Sequence, residues 1–139
     1  MEMNLTLSPP RSPRQAFSDL VHLPRMVDKA RASRQNTLGE YIYPCPLDKI
    51  MFEFLKVSSE TFQQKACEET DQDITRWIDS LCQNRSPQEK EAVNQKILSS
   101  QPDTPEKWRT FNDLLNKIDA SRTDISTWVD LIDLEEGRL

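Results

Sequence analysis

The sequence predicts an all-α fold, a single compact domain of six or seven short helices with irregular packing. Apolar residues recur at helical spacing along most of the chain, and clean alternation of apolar and polar residues is almost absent. Small polar residues that favour helix N-caps precede most of these segments. Only two of the 139 residues are glycine, which disfavours a fold built from tight β-hairpins. Helices of about 8–14 residues are also too short for a long four-helix bundle.

The chain is predicted to begin with a tail, followed by the first helix. Residues 1–10 end in Ser-Pro-Pro and are expected to form a flexible tail, while residues 11–139 form the helical domain. Ser12 followed by Pro13 has the pattern of an N-cap residue with proline at the first helical position. The apolar face of this first helix would consist of Phe17, Leu20 and Val21.

Pro24 is predicted to end that helix and to begin a second one, because proline lacks the N–H that a helix interior needs. The inward residues of the second helix would be Met26, Val27 and Ala30. Its more exposed face would consist of the basic residues Arg25, Lys29, Arg31 and Arg34.

After a loop over residues 36–47, a polar residue marks the start of each remaining helix. These starts are Asp48, Ser58 or Ser59, Thr70, Ser86, Thr104 and Thr123. Gly137 is placed to close the last helix as a C-cap. The three tryptophans lie within apolar helix faces and are expected to be core residues: Trp77, Trp108 and Trp128.

Two segments of the chain are similar in sequence, and we call them the echo segments. Residues 73–81 resemble residues 124–132, since both begin with Asp-Ile and continue into a tryptophan and further apolar residues. An old duplication and convergence on the same amphipathic helix start both remain open as explanations.

Charge is distributed unevenly along the chain. The net charge of −5 combines +3 over residues 1–34 with −8 over residues 35–139, and this acidic balance argues against a nucleic-acid partner. We therefore expect the basic helix to dock on the acidic last helix. The basic side of this contact would be Arg25, Lys29 and Arg31, and the acidic side Asp130, Asp133 and Glu136. An anion site on the basic segment is the alternative.

Several classes of protein are disfavoured by composition. Two glycines 98 positions apart cannot form a glycine-rich nucleotide cradle, and no apolar run approaches the roughly 18 residues of a membrane span. One histidine and three cysteines without Cys-x-x-Cys spacing indicate no metal site, and nothing indicates a cofactor. We also expect a cytoplasmic location, because the cysteines are unpaired in pattern and no signal peptide is recognisable.

The loop over residues 39–48 is the best candidate for a binding wall. Pro44 and Pro46 stiffen it, and Tyr41 and Tyr43 would share one side in extended geometry. We expect a small, anionic and partly planar ligand to lie against these tyrosines, with its charge toward two cations of the second helix, Arg25 and Lys29. The alternative is that the tyrosines are core residues and Arg25 pairs with an acid.

Cys45 and His22 are the candidate catalytic residues. Cys45 lies just before a helix start, where the helix dipole would lower the pKa of its thiol. His22 is the only imidazole and would be its partner if the two residues meet in space. A buried cysteine that acts as a small apolar residue is the alternative.

Three strings resemble those of a small bacterial family catalogued as a domain of unknown function: LPRMVDKARA at residues 23–32, GEYIYPCPLD at residues 39–48 and RTDISTWVDLIDLEEGR at residues 122–138. The resemblance implies a bacterial cytoplasmic protein of one domain, and it implies no activity or catalytic residue. The sequence therefore favours a non-catalytic binding or interaction module with an anion site, whose partner is a small anionic ligand or a protein. A small thiol-dependent or acid–base enzyme that uses Cys45 is the alternative.

Overall fold

The computed structural model describes residues 2–139, which form seven α-helices and one small sheet. The two antiparallel strands are β1 (Ala16–Phe17) and β2 (Leu20–Val21). The helices are α1 (Leu23–Arg34), α2 (Pro46–Leu55), α3 (Ser59–Glu68), α4 (Asp71–Leu81), α5 (Pro87–Leu98), α6 (Pro105–Asp119) and α7 (Trp128–Glu135). The predicted all-α class is confirmed. Among the described helices, none combines the length and the apolar character that a membrane crossing requires.

The helix predicted to begin at Ser12 is wrong, because this segment forms the β1–β2 hairpin. Ser12 is buried, and its hydroxyl donates to the Asp133 carboxylate at 2.9 Å instead of capping a helix. Ser18 and Asp19 then both adopt positive φ, at 52° and 62°. Two successive residues with positive φ form the turn that suits a two-residue hairpin. Phe17 and Leu20 face each other directly across that turn.

Helix α1 lies at the centre of the molecule and packs most extensively on α3. All of its residues from Leu23 to Ala32 are buried. The prediction that Arg25, Lys29 and Arg31 are more exposed is therefore wrong, whereas Arg34 is exposed as expected. Burial of these cations is compatible with a stable fold because each of them pairs with a carboxylate of another element.

Most of the remaining helices begin where the caps predict. The side chains of Ser58, Thr70, Ser86 and Thr104 each accept a hydrogen bond from the backbone N–H three residues later. Two starts differ from the prediction: Cys45 is the N-cap of α2, and Thr127 is the N-cap of α7 in place of Thr123. Gly137 has a φ of 83° and lies directly after the C-cap of α7, as predicted.

The two echo segments adopt different structures. Residues 73–81 lie entirely within α4, whereas residues 124–127 precede the first turn of α7. The similarity in sequence therefore does not extend to a repeated structural unit.

The apolar residues form two clusters that share one tryptophan. The main core contains residues from α1 to α5, including Met26, Phe62 and Ile78. A second cluster joins α6 to α7 through five buried residues: Phe111, Leu115, Ile125, Leu131 and Leu134. Trp128 packs against both clusters, so it links α6 to the rest of the molecule.

Part of the segment predicted as a tail lies against the chain that follows α1. Leu5 is buried, and its backbone N–H donates to the carbonyl of Thr37 at 2.9 Å. The backbone N–H of Met3 donates to the side chain of Gln35 at 2.9 Å.

Candidate functional site

A buried polar cluster lies where α1 meets the start of α2. We call it the Lys29–Asp48 cluster; its members are His22, Lys29, Cys45 and Asp48. His22 precedes α1 and Lys29 lies two turns further along that helix. Cys45 is the N-cap of α2 and Asp48 lies in its first turn, which begins at Pro46.

The Lys29 ammonium uses all three of its donors within this cluster. Its Nζ lies 2.7 Å from Asp48 Oδ2, 3.2 Å from Cys45 Sγ and 3.0 Å from the carbonyl oxygen of Ile42. These contacts fix the end of the loop and the first turn of α2 onto α1. They also explain how a lysine that is 3% exposed remains in the interior.

Asp48 is the centre of the cluster. Its Oδ2 accepts from the Cys45 backbone N–H at 2.9 Å, and its Oδ1 lies 2.7 Å from His22 Nε2. Burial opposes ionisation of this carboxyl, but the hydrogen bond from His22 and the charge of Lys29 outweigh burial and hold its pKa well below the usual range. Asp48 is therefore an ionised carboxylate at neutral pH.

His22 is fully buried, and burial lowers the pKa of its imidazole below the ordinary value of about 6.5. The cations of Lys29 and Arg25 lower it further, against the opposing effect of Asp48. The imidazole is thus neutral at neutral pH and donates from Nε2 to Asp48. Its Nδ1 has no hydrogen-bond partner among the described residues.

Cys45 connects the cluster to a cavity. Burial and the nearby Asp48 raise the pKa of its thiol, although Lys29 acts in the opposite direction. The predicted lowering of the Cys45 pKa by the helix dipole is therefore outweighed, first by burial of the thiol and then by the carboxylate in the first turn of α2. The residue is partly exposed, and it lines the cavity described next.

A cavity of about 420 Å³ opens beside Cys45, between α2, α7 and the segment that joins α5 to α6. We call it the Trp128 pocket. Its apolar lining is Pro46, Leu47, Ile50, Trp128 and Ile132, and its polar lining is Ser100, Gln101 and the ion-paired Asp103 and Lys107. A hydrogen bond from Trp128 N to the Ser100 carbonyl, at 3.0 Å, joins two of the walls. The sequence does not indicate this pocket, because its walls come from segments that are far apart in the chain.

The residues predicted to bind an anion already have partners within the chain. Arg25 is 4% exposed and makes two parallel hydrogen bonds of 2.8 Å to Glu136. Tyr41 lies against it, with its ring centroid 5.4 Å from the guanidinium carbon. The hydroxyl of Tyr41 donates to Glu136 at 3.2 Å, and burial together with that carboxylate raises the pKa of Tyr41 to about 12.

Tyr43 does not lie with Tyr41. Its hydroxyl donates to the carbonyl oxygen of Ser59 at 2.6 Å, and its ring packs edge-on against Phe52 at 6.0 Å between centroids. The two rings therefore contact different elements, and a ligand held by Arg25 and Lys29 would have to displace their carboxylate partners.

The predicted docking of the basic helix on the acidic end of the chain is formed by one of its three basic residues, because Arg25 pairs with Glu136 whereas Lys29 pairs with Asp48 of α2. Arg31 and Asp133 do not take part in it. Arg31 pairs with Asp71 at 3.1 Å, while Asp133 pairs with Arg14 and Arg138.

Three members of the cluster have the donor types of a metal site. Ligand atoms of His22, Cys45 and Asp48 lie within 4.8 Å of one another. The Lys29 ammonium, however, contacts both Asp48 and Cys45 and supplies the positive charge that a metal ion would bring. The donor set as folded therefore fits a lysine and not an additional cation.

The fold and the site define a class: a small helical domain with a buried ionic cluster beneath an apolar pocket. Residues 7–138 match the family described as Domain of unknown function (DUF5069), and the chain belongs to that family. The predicted resemblance to a family of unknown function is thus confirmed. No curated protein matches the chain.

Proposed function

We propose that the protein is a non-catalytic binding module whose ligand occupies the Trp128 pocket. The observation that carries this proposal is a cavity of about 420 Å³ with largely apolar walls and few polar groups. Sites for small molecules usually have this size and character. The indole of Trp128 offers a flat surface, and Ser100 and Gln101 offer polar contacts on another wall.

The ligand class that this pocket fits is a small, mainly apolar molecule with a planar ring. The geometry favours the pocket over the anion site predicted at Arg25 and Lys29, because an anion there competes with Glu136 and Asp48. Those carboxylates are already hydrogen bonded and buried, so their displacement would leave charges without partners.

A thiol-dependent enzyme that uses Cys45 is the second candidate function. It is favoured by the Lys29 ammonium 3.2 Å from Cys45 Sγ and by the place of Cys45 in the lining of the pocket. The raised pKa of the thiol weighs against it, because the thiolate is the nucleophile. The ring of His22 also hydrogen bonds Asp48, so it is already engaged.

Binding of 1-anilinonaphthalene-8-sulfonate, a probe with two aromatic ring systems and one sulfonate, tests the proposed pocket. The probe is excited at wavelengths longer than those that tryptophan absorbs. We expect its fluorescence to increase as folded protein is added and to reach a plateau at saturation. Ile132→Trp fills the pocket wall and should weaken binding by tenfold or more. Leu114→Trp is the matched control on α6, outside the pocket, and should leave the affinity within about twofold.

Equal binding by both variants would contradict the pocket assignment. Alkylation of Cys45 by iodoacetamide, followed by peptide mass spectrometry, separates the two candidate functions in the same samples. Slow alkylation at neutral pH that the probe slows further supports a binding module. Alkylation faster than that of the unfolded chain would favour the enzyme.

A further inference from the structure

We propose that Cys45 and Lys29 form a covalent redox cross-link when the folded protein meets a hydroperoxide. The bond would join Lys29 Nζ to Cys45 Sγ as a sulfenamide. This modification site goes beyond the proposed ligand binding and does not require it.

The two reacting atoms already contact each other. Nζ lies 3.2 Å from Sγ, and Asp48 holds both residues, since its carboxylate contacts the Lys29 ammonium and accepts a hydrogen bond from the Cys45 backbone. Formation of an N–S bond therefore requires a small displacement and no rearrangement of the backbone. The other cysteines differ, since Cys67 contacts the carbonyl of Ala30 and Cys82 is buried in the main core.

An oxidant of small size has a route to the sulfur. Cys45 lines the Trp128 pocket, which is open to solvent and large enough to admit hydrogen peroxide. Lys29 is 3% exposed and is not among the residues that line the pocket, so an oxidant in the pocket meets Cys45 first. Oxidation of a thiol by a hydroperoxide is the first step of the cysteine oxidation series.

The reaction balances in two steps. In the first, Cys45 attacks the peroxide as the thiolate, the O–O bond breaks, and the proton that the thiol has lost goes to the leaving oxygen, so the products are a sulfenic acid and water or an alcohol. Sulfur loses two electrons, which reduce the peroxide. In the second, the Lys29 amine attacks the sulfur, an N–S bond forms, the S–O bond breaks, and water leaves. The ammonium gives one proton to Asp48, and the amine gives a second proton to the departing hydroxyl group.

Asp48 is well placed to accept the first proton, because its Oδ2 lies 2.7 Å from Nζ. The transfer converts a buried ion pair into two neutral groups, so the product leaves no uncompensated charge in the interior. Asp48 is therefore a built-in acceptor for the ammonium proton, which an isolated cysteine–lysine contact lacks.

Peptide mapping of the peroxide-treated native protein tests the proposal. Treatment with hydrogen peroxide at about pH 9 increases the thiolate fraction. We expect digestion without reductant to give a joined peptide containing Lys29 and Cys45, lighter than the sum of its parts by two hydrogens, about 2 Da. Dithiothreitol should restore the separate peptides. The cross-link should be absent when the protein is treated in urea.

Two variants complete the design. Lys29→Arg keeps a buried cation but removes the primary amine, and should give oxidised Cys45 with no joined peptide. Cys67→Ser is the matched control and should cross-link as the unmodified chain does. The proposal would be overturned if the peroxide-treated unmodified chain gave a Cys45 peptide heavier by about 16 or 32 Da, from one or two added oxygen atoms, together with an unlinked Lys29 peptide. An equal yield of the joined peptide in urea would overturn it as well, and both outcomes are readable whether or not Lys29→Arg folds.

Discussion

At the scale of single residues, His22 has the most constrained environment. It is the only histidine in the chain, it is fully buried, and it adopts a φ of 76° at the N-cap of α1. Its imidazole is neutral in the folded state because burial lowers its pKa. Once unfolded, the same imidazole regains a pKa of about 6.5 and binds a proton more readily. Stability is therefore linked to the titration of this residue.

The sign of this linkage predicts acid destabilisation in a window below about pH 6.5. There the unfolded state binds more protons than the folded state, so the free energy of unfolding falls as the pH falls through the folded pKa. Urea unfolding between about pH 7 and pH 5 should show this decrease in the unmodified chain. His22→Asn, which tolerates the positive φ, should remove it.

Asp48 contributes a loss of the same sign, but only below about pH 4, where its unfolded form begins to protonate. It therefore does not interfere with the measurement above. If His22→Asn unfolded with the same dependence between about pH 7 and pH 5, the assignment to His22 would be contradicted.

At the scale of elements, α1 is held by charge as much as by apolar packing. Its four buried ionic residues are paired with four different parts of the chain. The pairs are Arg25 with Glu136, Asp28 with Arg11, Lys29 with Asp48, and Arg31 with Asp71. Since removal of one partner leaves an uncompensated buried charge, each pair fixes the position of α1 against one neighbour.

A double-mutant cycle on Arg25→Ala and Glu136→Ala should reveal this coupling. Each single substitution should lower the free energy of unfolding by about 3–5 kcal/mol, and the pair should couple by about 0.5–3 kcal/mol. Arg31→Ala and Asp133→Ala form the control cycle, which should be additive within about 0.5 kcal/mol because these residues pair elsewhere. Additivity in both cycles, measured by urea unfolding, would contradict the assigned role of Arg25.

The sequence predicts the helix starts well and the surroundings of α1 poorly. Ser86 and Thr104 act as caps through contacts within one turn, which local sequence specifies. The partners of α1 lie far away in sequence. The sequence pattern of a helix with a lysine in its apolar face is the same whether that lysine is exposed to solvent or paired with a buried carboxylate. Only the position of Lys29 between the apolar residues Met26 and Ala30 could have indicated its burial.

The hairpin and the pocket were unpredictable for a different reason. Ser12 and the residues after it have the pattern of a helix start. The buried carboxylate that binds the Ser12 hydroxyl belongs to Asp133, at the opposite end of the chain. Likewise, Cys45 was recognised as a candidate, but the wall formed by Trp128 depends on how α7 packs. Competition between local and long-range partners decides both cases.

At the scale of the whole molecule, Trp128 is the aromatic residue that connects α6 to the main core. The second apolar cluster holds α6 against α7, and Trp128 alone among its aromatic residues also packs on the main core. Its ring lies 5.2 Å from that of Phe111, which is 5.4 Å from Trp108. Substitution of Trp108 should therefore destabilise α6 locally, whereas substitution of Trp128 should destabilise the whole molecule.

Trp108→Ala should increase amide hydrogen exchange mainly in α6, because Trp108 contacts only the second cluster. Trp128→Ala removes contacts to both clusters and should lower the global free energy of unfolding by about 3–5 kcal/mol. Hydrogen exchange and urea unfolding measure the two effects on the same samples. Similar exchange patterns in both variants would show that Trp128 does not link the clusters.

The positions of the Lys29–Asp48 cluster and of α7 along the chain determine which of them is synthesised first. All four members of the Lys29–Asp48 cluster lie within residues 22–48, so their mutual contacts close early on a chain synthesised from its N-terminus. The wall that covers Cys45 arrives with α7, near the C-terminal end. On the growing chain Cys45 is therefore less covered than in the finished fold, until α7 is made and packs beside it.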